Sequence, residues 1–332
     1  MQNIHQRLSL FKLIACSFFV LSFSACDTLK KQKSIKLAHG LDTQHPVHKA
    51  MVFMAEDLAK RSGGTMNIKI YPNQQLGTER ECIELLQIGS LDMTKVSSAV
   101  MENFSPNMKV FGVPFLFKDK AHTFRVLDGP IGKGLLDGGQ KYWLKGLGYY
   151  DSGSRSFYSK NRPIDTPEDL KGLKIRVMES VTAMNMVNSL GGSPTPISWG
   201  ELYTSLQQGV VDGAENNPPS FYLSRHYEVC KYYALDEHTS VPDVMIMSLH
   251  TWNNLNNQEQ KWLQESMDAS ITYQRKLWAE AEKEALEEVQ KAGVKISYPD
   301  KSKFQEKVIG IYESYKEDTA IYNLIKKIQE TK

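Results

Sequence analysis

Arg176 is the residue whose surroundings most demand a chemical explanation. It stands inside Leu173-Lys174-Ile175-Arg176-Val177, flanked by Ile175 and Val177 in a short apolar strand. A guanidinium is seldom buried without a partner. Two readings therefore stand. One is an ion pair with an Asp or Glu from elsewhere in the chain. The other is an anchor for an anionic ligand, whose carboxylate a planar fork of N–H groups meets with two parallel bonds. Gly153-Ser154-Arg155 sets a second arginine just after a Tyr-bearing extended run. Val211-Asp212-Gly213-Ala214-Glu215-Asn216-Asn217-Pro218-Pro219 combines an Asp-Gly turn signal with amides that both donate and accept. It reads equally as a self-capped turn or as part of a binding site. Trp199, in Pro196-Ile197-Ser198-Trp199-Gly200, opens a helix and serves either as core or as a stacking wall for a ligand.

Catalytic and metal signatures point elsewhere. The sequence carries no GxGxxG, no GxxxxGK[ST], no HExxH and no GxSxG. His39, His45, His48, His122, His226, His238 and His250 are scattered. Cys82 and Cys230 could pair in an extracytoplasmic chain, but they sit in helix-like contexts and read first as buried free thiols. With no CxxC or Cys/His cluster, neither a metal site nor a cofactor is expected. Forty basic and 38 acidic residues give a net charge of +2, which excludes the basic excess of a nucleic-acid binder. Any preference for anions must come from a few placed cations.

The elements that would position these residues follow a βαβ rhythm. Ile35–His39 alternates as a strand, and His45–Arg61 is helical with Val47, Met51, Met54 and Leu58 on one face. Met66–Tyr71 alternates again, Gly77–Ile88 is helical and Leu91–Val96 is a strand. Later, Leu147–Ser152, Ser156–Ser159 and Lys174–Val177 are extended, while Val181–Leu190 and Trp199–Gln208 are helical. Met245–Leu249 would return the chain to the first lobe. Gln258–Lys291 lacks Gly and Pro and reads as one helix of roughly 50 Å, capped by Asn257 and stopped by Gly293. The fold class is α/β, two lobes of largely parallel sheet joined by crossing strands, with a cleft between them and a long helix bracing their backs. The expected division is lobe 1 from 35–152 and 245–257, lobe 2 from 153–244, and bracing helices from 258–332.

Residues 1–25 read as a signal peptide: Arg7 and Lys12 precede an apolar run from Leu13 to Phe23, too short to span a bilayer. Phe23-Ser24-Ala25-Cys26 is similar to a lipobox, with Phe23 where leucine is usual. Cys26 is thus the expected lipidation site and 26–34 a tether, the membrane being met through that lipid alone; the alternative is a soluble secreted form cut near Ala25.

The motifs taken together carry a resemblance. Arg162-Pro163-Ile164 with Thr166-Pro167-Glu168-Asp169-Leu170-Lys171-Gly172-Leu173-Lys174-Ile175-Arg176-Val177 resembles the signature of the DctP-type solute-binding proteins of TRAP transporters. So do Leu202–Asn216 and Tyr71-Pro72-Asn73-Gln74-Gln75-Leu76-Gly77, and the likeness runs from about Ile35 to the C-terminus. The resemblance implies an extracytoplasmic, periplasmic receptor, not an enzyme, that delivers a carboxylate solute to TRAP permease subunits. It implies that Arg176 clamps the carboxylate with Arg155 and Asn216, and that Trp199 packs near the ligand. It places His39, Glu79, Ser97, Glu179 and Glu237 toward the ligand, and Glu215 and His238 in a network behind the clamp. Glu215–Phe221, His226–Val229 and Leu235–Thr239 resemble members that bind hexuronates such as glucuronate or galacturonate. Glu79, Glu179 and Glu237 would repel a second carboxylate but accept hydroxyls, with Lys95 a neutraliser or a second anion site. A C4-dicarboxylate or keto-acid receptor is the nearest alternative, and a uronate lyase or isomerase the enzyme alternative.

Overall fold

The computed structural model describes residues 32–332; the signal segment and Cys26 lie outside the described residues. The described strands are β1 (Lys33–Ala38), β2 (Met66–Tyr71), β3 (Met93–Ser97), β4 (Leu144–Tyr150), β5 (Arg155–Ser159), β6 (Lys174–Val177), β7 (Ser193–Pro196), β8 (Gly213–Asn216), β9 (Tyr232–Thr239), β10 (Asp243–Ser248) and β11 (Lys295–Ser297). They form two sheets, ordered β2-β1-β3-β10-β4 and β11-β9-β5-β8-β6-β7.

Each sheet is parallel apart from one reversed strand. In the first, β1 runs parallel to β2 and β3, and β10 runs against β3 and β4. In the second, β6 runs parallel to β7 and β8, β11 runs parallel to β9, and β5 runs against β8 and β9. The reversed strands are the two that the chain enters directly from a strand of the other sheet. β4 leads into β5 through residues 151–154, and β9 leads into β10 through residues 240–242. All other strands therefore point their carboxyl ends at the gap between the sheets, and β5 and β10 start from it. In open α/β sheets that edge is where ligands bind.

Local chemistry accounts for the helices that border the gap. Pro46–Arg61 buries Val47, Ala50, Met51, Met54 and Leu58 on one face, and the His45 ring caps it by accepting from Val47 N at 3.3 Å. A Thr78/Glu81 capping box starts Glu79–Gln87, shorter than expected because Gly77 has φ 120° and Ile88 is already the C-cap. Asn217 caps Pro218–Leu223, accepting from Ser220 N at 2.9 Å. Trp199 opens a 3₁₀ turn, Trp199–Glu201, ahead of the helix Leu202–Gln208, rather than one continuous helix.

The bracing helix runs from Asn257 to Lys291, and its cap is Asn256, in a capping box with Glu259, not Asn257. It packs on the Pro46–Arg61 helix and β4 at one end and on the Pro218–Leu223 helix at the other. Midway, the buried Gln274 accepts from Asp151 N at 2.9 Å and donates to Asp151 O at 2.7 Å. It thus satisfies both backbone groups of Asp151, the first residue of that crossing. Residues 258–332 are not all helical: β11 joins the edge of the second sheet. Lys301–Ser314 then packs on Val181–Ser189, and Thr319–Glu330 on the 3₁₀ helix Pro106–Gly112. Cys82 and Cys230 are buried free thiols.

Candidate functional site

A cleft of about 750 Å³, counting the space at its mouth, lies between the two sheets. Its walls come from strand ends. The first sheet contributes Leu41 after β1, Gln74 after β2, Ser97 closing β3, Ser152 after β4 and Asp243 opening β10; the second contributes Arg155 opening β5, Glu179 and Trp199 beyond β6 and β7, and Asn216 closing β8.

Arg176 is 2% exposed and lines this cleft. Its Nε donates to Ile197 O at 2.8 Å, and its guanidinium carbon lies 5.9 Å from the Trp199 ring. Its Nη1 is buried with no hydrogen-bond partner, and no Asp or Glu oxygen lies within 4.0 Å of it among the described residues. Burial pulls its pKa down to about 10, which leaves it charged at neutral pH. The ion-pair reading of Arg176 is therefore removed. A buried cation with unused donors costs stability unless an anion meets it.

Arg155 is different. Its Nε donates to Glu215 Oε2, and its Nη2 donates to Glu215 Oε1 at 2.9 Å and Glu215 O at 2.7 Å. Its Nη1 donates to Asn216 Oδ1 at 2.8 Å. Of the five guanidinium N–H groups, one on Nη1 is left for a ligand. The same Asn216 oxygen accepts from Asn217 N at 2.9 Å, so the side chain is oriented from both sides while its Nδ2 makes no hydrogen bond among the described residues. The segment is thus both a self-capped turn and a cleft wall.

A charged network holds Arg155 from behind. Burial alone would raise the Glu215 carboxyl, but Arg155 and His238 outweigh it and hold it at about 2. Burial would likewise lower His238, but Asp236, whose Oδ2 accepts from His238 Nδ1 at 2.7 Å, and Glu215 raise it to about 9. His238 Nε2 stands 3.6 Å from Glu215, and its ring lies 4.3 Å from that of Phe157.

The first-sheet wall holds Lys95, 3% exposed, with Glu79 Oε1 at 3.0 Å and Asp243 Oδ1 at 3.2 Å. Burial opposes its charge, yet Asp243 and Glu79 raise it to about 12. Glu79 Oε2 also accepts from Ser97 N at 3.1 Å. His45 lines the cleft between Trp278, 5.7 Å away ring to ring, and Ser220 Oγ at 3.4 Å on the second lobe; burial, then Lys95, lowers its pKa to about 3. The lobes touch directly elsewhere. Glu102 accepts from Thr182 N at 3.1 Å and Thr182 Oγ1 at 2.8 Å, and Asn103 Nδ2 donates to Glu179 O at 2.7 Å. Gln74 fills the space beside Gly200.

Arg176, Arg155, Asn216, Glu79, Trp199, Glu179 and Ser97 thus meet in one cleft, with Glu215 and His238 behind it. His39 and Glu237 do not join them. His39 is buried behind the wall, where it accepts from Leu41 N at 3.1 Å and bonds His48 at 2.9 Å. Glu237, at a left-handed φ of 48°, turns away to pair with Lys301 in a separate cavity that also includes Lys120 and Glu282. Its neighbours on β9 alternate sides, which sends His238 inward and Glu237 out. Asp243, His45, Gln74 and Trp278 were not anticipated as wall residues.

The model of the bacterial extracellular solute-binding proteins, family 7 (DctP), matches residues 37–318. The chain is 41% identical over 300 residues to the uncharacterised protein YiiZ of Salmonella typhimurium, covering 90% of this chain and 91% of that one. It superposes with a TM-score of 0.88 and 40% identity on a TRAP periplasmic solute-binding protein of Bradyrhizobium sp. BTAi1 in complex with D-galacturonate, covering 90% of this chain and all of that one. A TRAP periplasmic solute-binding protein of Chromohalobacter salexigens with bound D-glucuronate gives 0.87 at 34% identity, again over 90% of this chain and 100% of the other. With the two-sheet cleft and its unpaired arginine already in view, these matches establish that the chain belongs to the DctP family of TRAP-type extracellular solute-binding proteins.

Proposed function

We propose that the protein is a periplasmic receptor that captures hexuronates, galacturonate and glucuronate foremost, and hands them to a TRAP permease. The observation that carries this reading is the unpaired Nη1 edge of Arg176 inside the cleft. In the proposal the uronate carboxylate meets that edge, the spare Nη1 proton of Arg155 and the Nδ2 group of Asn216, while the sugar ring lies against Trp199. Glu79, Glu179 and Ser97 receive the hydroxyls. Glu215 and His238 hold Arg155 in position without touching the ligand. Bending at residues 151–154 and 240–242 closes the lobes, and the ligand favours the closed form because only there do both walls reach it. The galacturonate- and glucuronate-bound relatives support the choice of cargo. Cys26 carries the lipid that keeps the receptor at its membrane, and the chain performs no chemistry on its cargo.

Isothermal calorimetry with galacturonate and glucuronate tests the reading on wild type and Arg176→Lys. A point ammonium cannot make two parallel bonds, so the variant is expected to lose about tenfold or more in affinity for both sugars. Unchanged affinity, or turnover of either uronate by the pure protein, would overturn the proposal.

A further inference from the structure

The first-sheet wall holds a cation that the proposed clamp does not use. Lys95 lies on β3 between the carboxylates of Glu79 and Asp243, and all three line the cleft from the sheet opposite Arg176. Among the described residues, Lys95 is the sole cation within ion-pair distance of either carboxylate. One ammonium between two ionised carboxylates leaves the cluster one negative charge in surplus. This wall therefore offers oxygen lone pairs and no free cation. It can accept hydrogen bonds from hydroxyls and must repel an anion.

We infer that the Glu79–Lys95–Asp243 cluster determines specificity in the cleft: it admits the uncharged, hydroxyl-bearing end of a monoacid and rejects a second carboxylate. The inference rests on the hexuronate reading and assigns to that site the exclusion of diacids of the same carbon skeleton. Removing one negative charge at nearly constant shape, by Glu79→Gln or Asp243→Asn, leaves Lys95 paired with the remaining carboxylate, brings the wall to neutrality and relieves the repulsion of a second carboxylate.

Wild type carries a second route to the same change. Burial pushes Asp243 up to about 6, with Lys95 opposing, Glu79 adding to the rise and Arg155 opposing it. The nearby His39 and His45 stay neutral, lowered by burial and by Lys95 to about 2 and about 3. Lowering the pH from about 8 to about 5 protonates Asp243 while sugar acids with ordinary carboxylate pKa values remain ionised. This mimics Asp243→Asn.

The test is calorimetric affinity for galacturonate and for galactarate, its C1-oxidised diacid, with wild type and both variants at about pH 8 and wild type at about pH 5. Wild type is expected to prefer galacturonate. The ratio of the two dissociation constants is expected to shrink about tenfold or more in each variant, and to shrink in the same direction in wild type at the lower pH. A ratio that stays put in the folded variants and across the pH series overturns the inference and leaves the receptor reading standing. Wild type that binds neither uronate overturns the receptor reading itself. Should both variants fail to fold, the wild-type preference decides, a wild type that binds galactarate as tightly as galacturonate overturning the inference.

Discussion

Two buried arginines meet opposite fates in the cleft. Arg155 is neutralised by Glu215, whereas Arg176 has no carboxylate within 4.0 Å among the described residues. That difference separates a cation already held by the protein, with one N–H to spare, from one whose charge is left wholly to the ligand. Glu215→Gln would leave Arg155 buried with a neutral neighbour, and removal of one member of a buried pair costs about 3–5 kcal/mol. Urea denaturation is expected to show a loss of that order. His238 carries a pH signature. Its folded pKa of about 9 lies above the ordinary 6.5, so its stabilising contribution is complete below 6.5 and is lost as pH rises through 9. Glu215, held at about 2, acts oppositely: its contribution is complete above the ordinary 4.5 and is lost as pH falls toward 2. The melting temperature should therefore decline on the alkaline side, and His238→Gln should flatten that decline. Arg176 was legible in the sequence because a charge inside an apolar strand violates the local pattern. His45 and Asp243 violate nothing locally; they become wall residues because separate strands end side by side. Glu237 shows the reverse, a charge beside the right motif that the backbone turns the wrong way.

At the scale of elements, Gln274 is the clearest case of a side chain acting on another element. It replaces the missing sheet partners of Asp151 at the crossing from β4 to β5. Gln274→Ala would leave both backbone groups without those bonds and is expected to cost about 1–3 kcal/mol, measured as a lower urea midpoint with an unchanged slope. Met66–Tyr71 and Lys174–Val177 could be read residue for residue because alternation and β-branched content mark them. β7 could not, since Ser193–Pro196 carries two prolines and lies at the sheet edge, where proline is tolerated. β8 was hidden by its Asp-Gly start, which reads as a turn although the strand begins there. β11 is three residues long, and the alternation of Val294, Ile296 and Tyr298 with Lys295 and Ser297 is too short to stand out beside the long helix that precedes it.

Across the whole molecule, closure depends on small gaps between lobes as well as on the cleft. A Cβ added at Gly200 would stand 2.1 Å from Gln74 Oε1, and Gln74 Nε2 is already buried without a partner. Gly200→Val should therefore penalise the closed form more than the fold. Uronate affinity is expected to fall by about three- to tenfold through the population of the closed state, while the melting temperature without ligand stays near that of wild type. Small-angle scattering at a uronate concentration that half-saturates wild type would show a larger mean dimension for the variant.

The threading of the chain has a consequence for inheritance. The acid-gripping residues Arg155, Arg176 and Asn216 all fall between the two crossings, whereas Glu79, Lys95 and Asp243 fall outside them. The grip and the discriminating wall are therefore encoded in separate stretches of gene. A lineage could retool its menu by drift in the flanking stretches alone, keeping the handhold common to every acid it has carried.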